Sequence, residues 1–245
     1  IFRSFILLFL AKYATEKAID LKRFLKLFVY FILPFLLILV QPSLGVAVIT
    51  AICFIGILFA SNIDKKIVFI AFLSFFIILP LSWLILAPYQ KERIMTFVNP
   101  YKDPLGAGYN SIQSTISVGS GRLFGRGLGE GVQTQLAYLP EKHTDFIFAA
   151  ISEELGFLGA LLVLIAFFLL FYSLIKIIEN NNNLAARAFT SSVFFIFLAQ
   201  TFVHVGMNIG IVPITGLPLP FVSPGGSALV GSFMLLAIAI KARNS

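Results

Sequence analysis

Apolar residues run through this chain in long unbroken blocks, not in the alternating or three-and-four patterns of a soluble fold. No Asp, Glu, Lys or Arg occurs in residues 27–63, 67–90, 155–175 or 188–240. Each block can supply one or more membrane-crossing helices, which need about 20 apolar residues apiece. The pattern predicts a partial span over residues 5–13. Whole spans are predicted over 27–40, 44–60, 67–87, 146–178, 189–208 and 227–240. Continuous apolar runs favour helices over a barrel, whose strands alternate. Pro42 and Gly45 in "QPSLG" mark a tight turn between two of these spans.

Composition sharpens this picture. Of the 245 residues, 59% are hydrophobic and 12% charged, against about half and a quarter in soluble domains. Lipid is therefore the expected solvent. The lone Cys53 excludes an internal disulfide and a cysteine metal cluster. The chain opens at Ile1, inside an apolar run, and is expected to be a fragment of a longer protein.

Charge sets the expected orientation. Segments 11–26, 62–66, 176–187 and 241–245 are rich in Lys and Arg, whereas 41–43 and 209–226 have none. The basic set is expected in the cytoplasm. The long connection at 88–145 and the loop at 209–226 are then outside. The net charge of +7 is accounted for without nucleic acid.

Three stretches carry more than lipid-facing sequence. The 88–145 loop holds eight glycines between Gly106 and Gly131. Its apolar residues at 112, 116 and 118 predict an amphipathic, re-entrant or surface helix. "GSGRLFGRGLGEG" resembles a phosphate-cradling loop, although no strand precedes it. Arg122 and Arg126 can fork onto phosphate or contact anionic headgroups.

The second stretch, "LPEKHTDFIFAAISEELGFLG", places Glu141, Asp145, Glu153 and Glu154 at the edge of a charge-free run. Thr144 or Asp145 suits a helix cap. Ala149, Ser152, Gly156 and Gly159 share a face with Asp145. Glu153 flanks that face and Glu154 lies roughly opposite, where a loop base is its expected partner. Glu141, His143 and Asp145 can also hold a divalent ion. The third stretch, residues 208–231, packs four prolines and five glycines between two spans without a charge. Such irregular backbone must be buried in protein or line a wet cavity, so a plug folded into the bundle is expected. His204 is expected to be an interhelical hydrogen-bonder.

Together, "QPSLGVA", "DPLGAGYNSIQSTISVGSGRLFGRG", "LPEKHTDFIFAAISEELGFLG" and "PITGLPLPFVSPGGSALV" resemble the SEDS family of bacterial cell-wall proteins, with RodA and FtsW as types. "LPEKHTDFIFA" and "QTQL" look more like the RodA type. The resemblance implies a single all-α polytopic membrane domain over 1–245, a SEDS-type bundle with six whole spans and one partial span of the family's ten. Pro224 and Arg122 depart from the family pattern, which has an aromatic and a glycine there.

The resemblance also implies an activity. SEDS proteins polymerise lipid II, a polyprenyl-pyrophosphate disaccharide-pentapeptide, into glycan strands on the outer face of the bacterial cytoplasmic membrane. Asp145 matches the family's essential carboxylate and is the expected general base. Arg93, Lys102, Arg122, Arg126 and Lys142 are candidate pyrophosphate partners, and Glu153 and Ser223 further substrate contacts. A divalent cation, Mg or Mn, is a possible cofactor through Glu141 and Asp145. The expected partner is a class B penicillin-binding protein. A lipid II flippase or transporter, a septal FtsW-like polymerase and a non-catalytic scaffold remain as alternatives.

Overall fold

The computed structural model describes residues 2–17, 20–40, 44–61, 66, 69, 73, 87–136 and 138–242. Helices account for the regular structure, and no strand occurs among the described residues. Their order is α1 (Phe2–Thr15), α2 (Leu21–Val40), α3 (Leu44–Ala60), α4 (Pro88–Val98), a 3₁₀ turn (Pro100–Lys102), α5 (Tyr109–Ser120), α6 (Val132–Gln135), α7 (Ile147–Glu179), α8 (Leu184–Asn208) and α9 (Gly226–Lys241). The expected spans at 5–13, 27–40, 44–60, 189–208 and 227–240 fall within α1, α2, α3, α8 and α9. Of the expected span at 67–87 only residues 69, 73 and 87 are described, the first two as helix; of the expected turn at 41–45, residues 41–43 lie outside the described residues and Gly45 falls within α3. Helices α7 and α8 are long and apolar enough to cross a membrane.

The residues group into two compact units. One comprises 1–85, 171–199 and 230–245; the other comprises 86–170 and 200–229. In the first, Leu7, Leu10, Ile49 and Ile57 are fully buried. Phe31 of α2 stacks on Phe54 of α3 with ring centroids 4.2 Å apart. Gly56 brings α3 close to α8, because a Cβ there would lie 3.0 Å from the Ser192 backbone.

The second unit holds the candidate site residues. The helix predicted around 112–118 is α5, but its buried residues are Ser114 and Ser117, and Ile116 is exposed. Its inner face is polar because both hydroxyls have buried partners: Ser114 donates to the Asn208 carbonyl at 2.9 Å and Ser117 to the Glu153 carboxylate at 3.3 Å.

The expected uninterrupted span at 146–178 is broken. Within α7, Gly156 has φ 68° and ψ −164°. The broken ladder is mended from residues 121–127. The Arg126 and Gly127 amides donate to the Glu153 and Glu154 carbonyls, while the Phe157 and Leu158 amides donate to the Arg122 and Leu123 carbonyls. The glycines permit this insertion. A Cβ would lie 1.8 Å from the Ser152 oxygen at Gly121, 2.1 Å from the Glu154 oxygen at Gly125, and 2.2 Å from the Gly125 nitrogen at Gly156. The glycine-rich loop is thus a backbone staple in a helix, which is what its resemblance to a phosphate cradle concealed.

Candidate functional site

Asp145 sits two residues before α7, in the segment 139–146. Leu139, Phe146 and Ala149 form a buried apolar cluster there, with Val118 and Ile214 against it. Glu141 adopts φ 53° and its carbonyl accepts the Asp145 amide at 3.1 Å. The chain therefore curls so that both carboxylates belong to one turn. Among the described residues, no group donates a hydrogen bond to the Asp145 carboxylate. Gly216 lies beside it, since a Cβ at that position would be 3.5 Å from Oδ2.

The capping expected of Asp145 is done by Asn208 at the end of α8. Its Oδ1 accepts the Ala149 amide at 3.0 Å, one of the free donors at the start of α7. Its Nδ2 donates to the Asp145 carbonyl at 3.1 Å and to the His204 carbonyl at 2.7 Å. One residue earlier, Ser223 donates to the Thr144 carbonyl at 2.8 Å and accepts the Leu219 amide at 2.9 Å. The peptide groups on both sides of the Asp145 nitrogen and carbonyl are pinned by side chains, and the carboxylate stays free. Asn208 was not anticipated from sequence; the only signal was a lone carboxamide closing a long apolar run.

The plug-like segment 209–225 has no helix or strand, and its Leu217, Leu219 and Ser223 are buried. His204 binds it at 2.8 Å through Nδ1 and the Leu217 carbonyl, so its partner is this loop.

A cavity of about 330 Å³ opens within this unit, lined among others by Tyr89, Glu92, Arg93, Asn110, Ser111 and Ile214. Asp145 does not line it, but Arg93 and Ile214 connect the two places. Burial holds the Asp145 carboxyl above the usual carboxylate value, the Glu141 charge pushes it further up, and Arg93 pulls it back down. Desolvation and a like charge both disfavour the ionised form, and a nearby cation favours it.

The remaining expected contacts are dispersed. Glu153 is fully buried. It accepts the Gln133 amide at 2.9 Å, the Thr134 amide at 3.0 Å and the Ser117 hydroxyl. Its oxygens hold the start of α6, which leaves no free face toward the cavity. Glu154 meets the Gln135 amide group at 3.2 Å and the Thr134 hydroxyl at 3.4 Å, where a loop base was expected. Ser223 is likewise buried and spent on backbone. Lys142 donates to the Thr134 carbonyl at the end of α6. Lys102 is exposed on the 3₁₀ turn. Arg122 and Arg126 are exposed on the staple, beside Gly156, which is about 13 Å along α7 from Ile147 at 1.5 Å per residue. Of the five candidate cations, the structure brings Arg93 into the field of Asp145.

Replacing Asn208 by Ala leaves the Ala149 amide and the Asp145 carbonyl without these partners. Each buried group so stranded costs roughly 1–3 kcal/mol. Asn208→Ala is expected to lower the melting temperature in detergent clearly, and Ser223→Ala to lower it less.

A family model described as cell cycle protein, covering FtsW, RodA and SpoVE, matches residues 1–245. The peptidoglycan glycosyltransferase MrdB of Escherichia coli (strain K12) is 41% identical over 199 residues, 81% of this chain and 54% of that protein. The probable peptidoglycan glycosyltransferase FtsW of Buchnera aphidicola (subsp. Baizongia pistaciae) is 38% identical over 240 residues, 95% of this chain and 63% of that protein. The chain thus spans between half and two thirds of the length of these relatives. Among solved structures, a chain of a peptidoglycan synthase complex that coordinates polymerization and crosslinking superimposes with a TM-score of 0.78. It is 29% identical, over 99% of this chain and 68% of that one.

Proposed function

Because this chain belongs to the FtsW/RodA/SpoVE family of cell cycle proteins, we propose that it polymerises lipid II into glycan strands, with Asp145 as the general base. The observation that carries this reading is the Asp145 carboxylate itself. It is backbone-pinned, free of hydrogen bonds among the described residues, and held more basic than an ordinary carboxylate by burial and by Glu141. A base works best when its pKa approaches the working pH.

In this reaction the acceptor sugar's 4-hydroxyl oxygen attacks the donor's anomeric carbon. The bond from that carbon to the pyrophosphate oxygen breaks, and the configuration inverts. The hydroxyl proton passes to Asp145, and the bonding pair leaves with the polyprenyl pyrophosphate. Arg93, in the cavity wall, meets the developing negative charge with a forked donor. Lys102 remains a second candidate for that charge. Glu141 and Asp145 are the only acids on their turn, and no group of three His, Cys, Asp or Glu converges among the described residues. Such a pair suits a hard cation that keeps most of its waters and shares substrate phosphate oxygens. Glu141 and Asp145 would hold it, and it would supply positive charge to the departing pyrophosphate.

The proposed chemistry calls for a multi-pass component of the bacterial cytoplasmic membrane with the 88–145 segment outside, and the Lys- and Arg-rich set of connections supports that orientation. The stretches around Asp145 and "QTQL" support the elongation-type role. The likeness to a chain of a peptidoglycan synthase complex supports a penicillin-binding protein as partner. Reconstituted vesicles separate the polymerase from a flippase or a scaffold: glycan strands should form from lipid II. Lipid movement without strands, or neither, would overturn the proposal.

The pH profile offers a signed test. Asp145 must be ionised to act, so the rate falls as pH drops through its folded-state pKa. Glu141→Gln removes a raising charge and should move the acidic limb of kcat/KM to lower pH. Arg93→Gln removes a lowering charge and should move it to higher pH. Coincident limbs would separate neither residue from the background.

A further inference from the structure

The staple that mends α7 carries an apolar tip. Leu123 is 61% exposed, Phe124 79% and Leu128 76%. Arg122 and Arg126 stand between and beside them, also exposed. Arg122 holds φ 50°, a left-handed conformation that an L-residue adopts unfavourably. The tip is rigidly placed, because its backbone is bonded to residues 153–158 by four hydrogen bonds.

The depth of this tip follows from α7. Beyond its break at Gly156, α7 runs on to Glu179, about 35 Å at 1.5 Å per residue, enough to cross the roughly 30 Å of hydrocarbon in a bilayer. Its charge-free part, residues 155–175, is about 30 Å long and ends at Lys176. Counting back from Lys176 therefore puts Gly156 at the opposite hydrocarbon boundary. Phe157 and Leu158 are exposed there, at the start of the lipid-facing surface. The tip's apolar side chains continue that surface through the bonds of the Phe157 and Leu158 amides to the Arg122 and Leu123 carbonyls.

We propose that residues 122–128 form an interfacial membrane anchor. Leu123, Phe124 and Leu128 enter the upper acyl region, and Arg122 and Arg126 bind phospholipid phosphates above them. The occupant is the bilayer, argued from continuity with the lipid-facing part of α7 and from cations placed at headgroup depth. The inference rests on the membrane span and is independent of the chemistry at Asp145.

The test uses tryptophan depth. The single tryptophan, Trp83, is changed to Phe, and Phe124→Trp is added in the membrane-reconstituted protein. Vesicles contain phosphatidylethanolamine and phosphatidylglycerol, with no polyprenyl pyrophosphate, so any lipid contact belongs to phospholipid. The expected result is blue-shifted emission, loss of more than half the intensity with acyl-brominated lipid, and little quenching by aqueous iodide. Leu105→Trp, at a site 89% exposed far from the staple in sequence, should show the reverse. In the Phe124→Trp background, Arg122→Gln with Arg126→Gln should reduce quenching by brominated lipid at least twofold. Iodide quenching of Phe124→Trp equal to that of Leu105→Trp would overturn the anchor. So would protection from iodide that arises only when a protein partner is added. Unchanged lipid quenching in the double Gln variant would overturn the phosphate contacts.

Discussion

Gly125→Ala and Gly156→Ala are expected to leave little folded protein. At both positions the backbone is left-handed, with φ 82° and φ 68°. At both, a Cβ would lie about 2 Å from main-chain atoms of the opposing segment, the Glu154 oxygen in one case and the Gly125 nitrogen in the other. Neither atom is the movable end of a side chain, so relief means pulling the staple out of α7. That strands the Arg126 and Gly127 amides and the Arg122 and Leu123 carbonyls, while the Phe157 and Leu158 amides could close onto the Glu153 and Glu154 carbonyls only by straightening α7. A loss of about 3 kcal/mol or more follows, since left-handed strain alone contributes about 1–2 kcal/mol and each stranded buried group roughly 1–3 kcal/mol. Gly129→Ala separates the two causes. It has φ 76° but nothing within 4 Å of an added Cβ, so it should cost only the strain, about 1 kcal/mol. The measurement is monodisperse yield and melting temperature of the three variants in detergent. Equal effects at Gly129 and Gly125 would show that the staple is not what these glycines serve.

The same glycines mark where sequence reading reached its limit. The lipid-spanning blocks, the all-helical class and the helix around residue 112 were legible, because hydrophobic length and periodicity are local signals. The break at Gly156 was not. Its cause lies some thirty residues earlier, in backbone groups that carry no side-chain signature, and Gly156 among Ala149, Ser152 and Gly159 reads as a packing residue. Glu153 shows the same failure. Spacing placed it near the face of Asp145, whereas the Gln133 and Thr134 amides claim its oxygens. Asp145 was legible as an acid at a helix edge, but cap and catalyst were equally good readings of its type. The structure gives the cap to Asn208, 63 positions away, which binds the free amide of Ala149 and leaves the Asp145 carboxylate out of capping. Arg122 was read as an odd residue where glycine is usual. The left-handed φ of 50° supplies the physical reason glycine would suit that position.

Asp145→Asn carries the second large effect. It keeps the shape and the peptide contacts of Thr144, Ala149, Asn208 and Ser223, and removes the proposed acceptor of the hydroxyl proton. A positioned general base contributes about 10²–10⁴-fold, so the rate should fall by that order. Stability should move the other way. The folded-state pKa of Asp145 is raised, so the folded chain binds this proton more tightly than the unfolded chain. The group's contribution to stability is then full below its unfolded pKa and is lost as pH rises through the folded one. At neutral pH the charge is a burden, and Asn in its place should leave the melting temperature equal or higher. A residue that served only to hold the fold would lose activity and stability together.

The most direct measurement is therefore the conversion of labelled lipid II into glycan strands at pH 7 by protein reconstituted with its partner, wild type beside Asp145→Asn, with the melting temperature of each recorded. Long strands are expected from the wild type, and a rate about 10²–10⁴-fold lower from a variant that melts no earlier. A folded Asp145→Asn protein that makes strands at the wild-type rate would contradict the assignment of Asp145 as base.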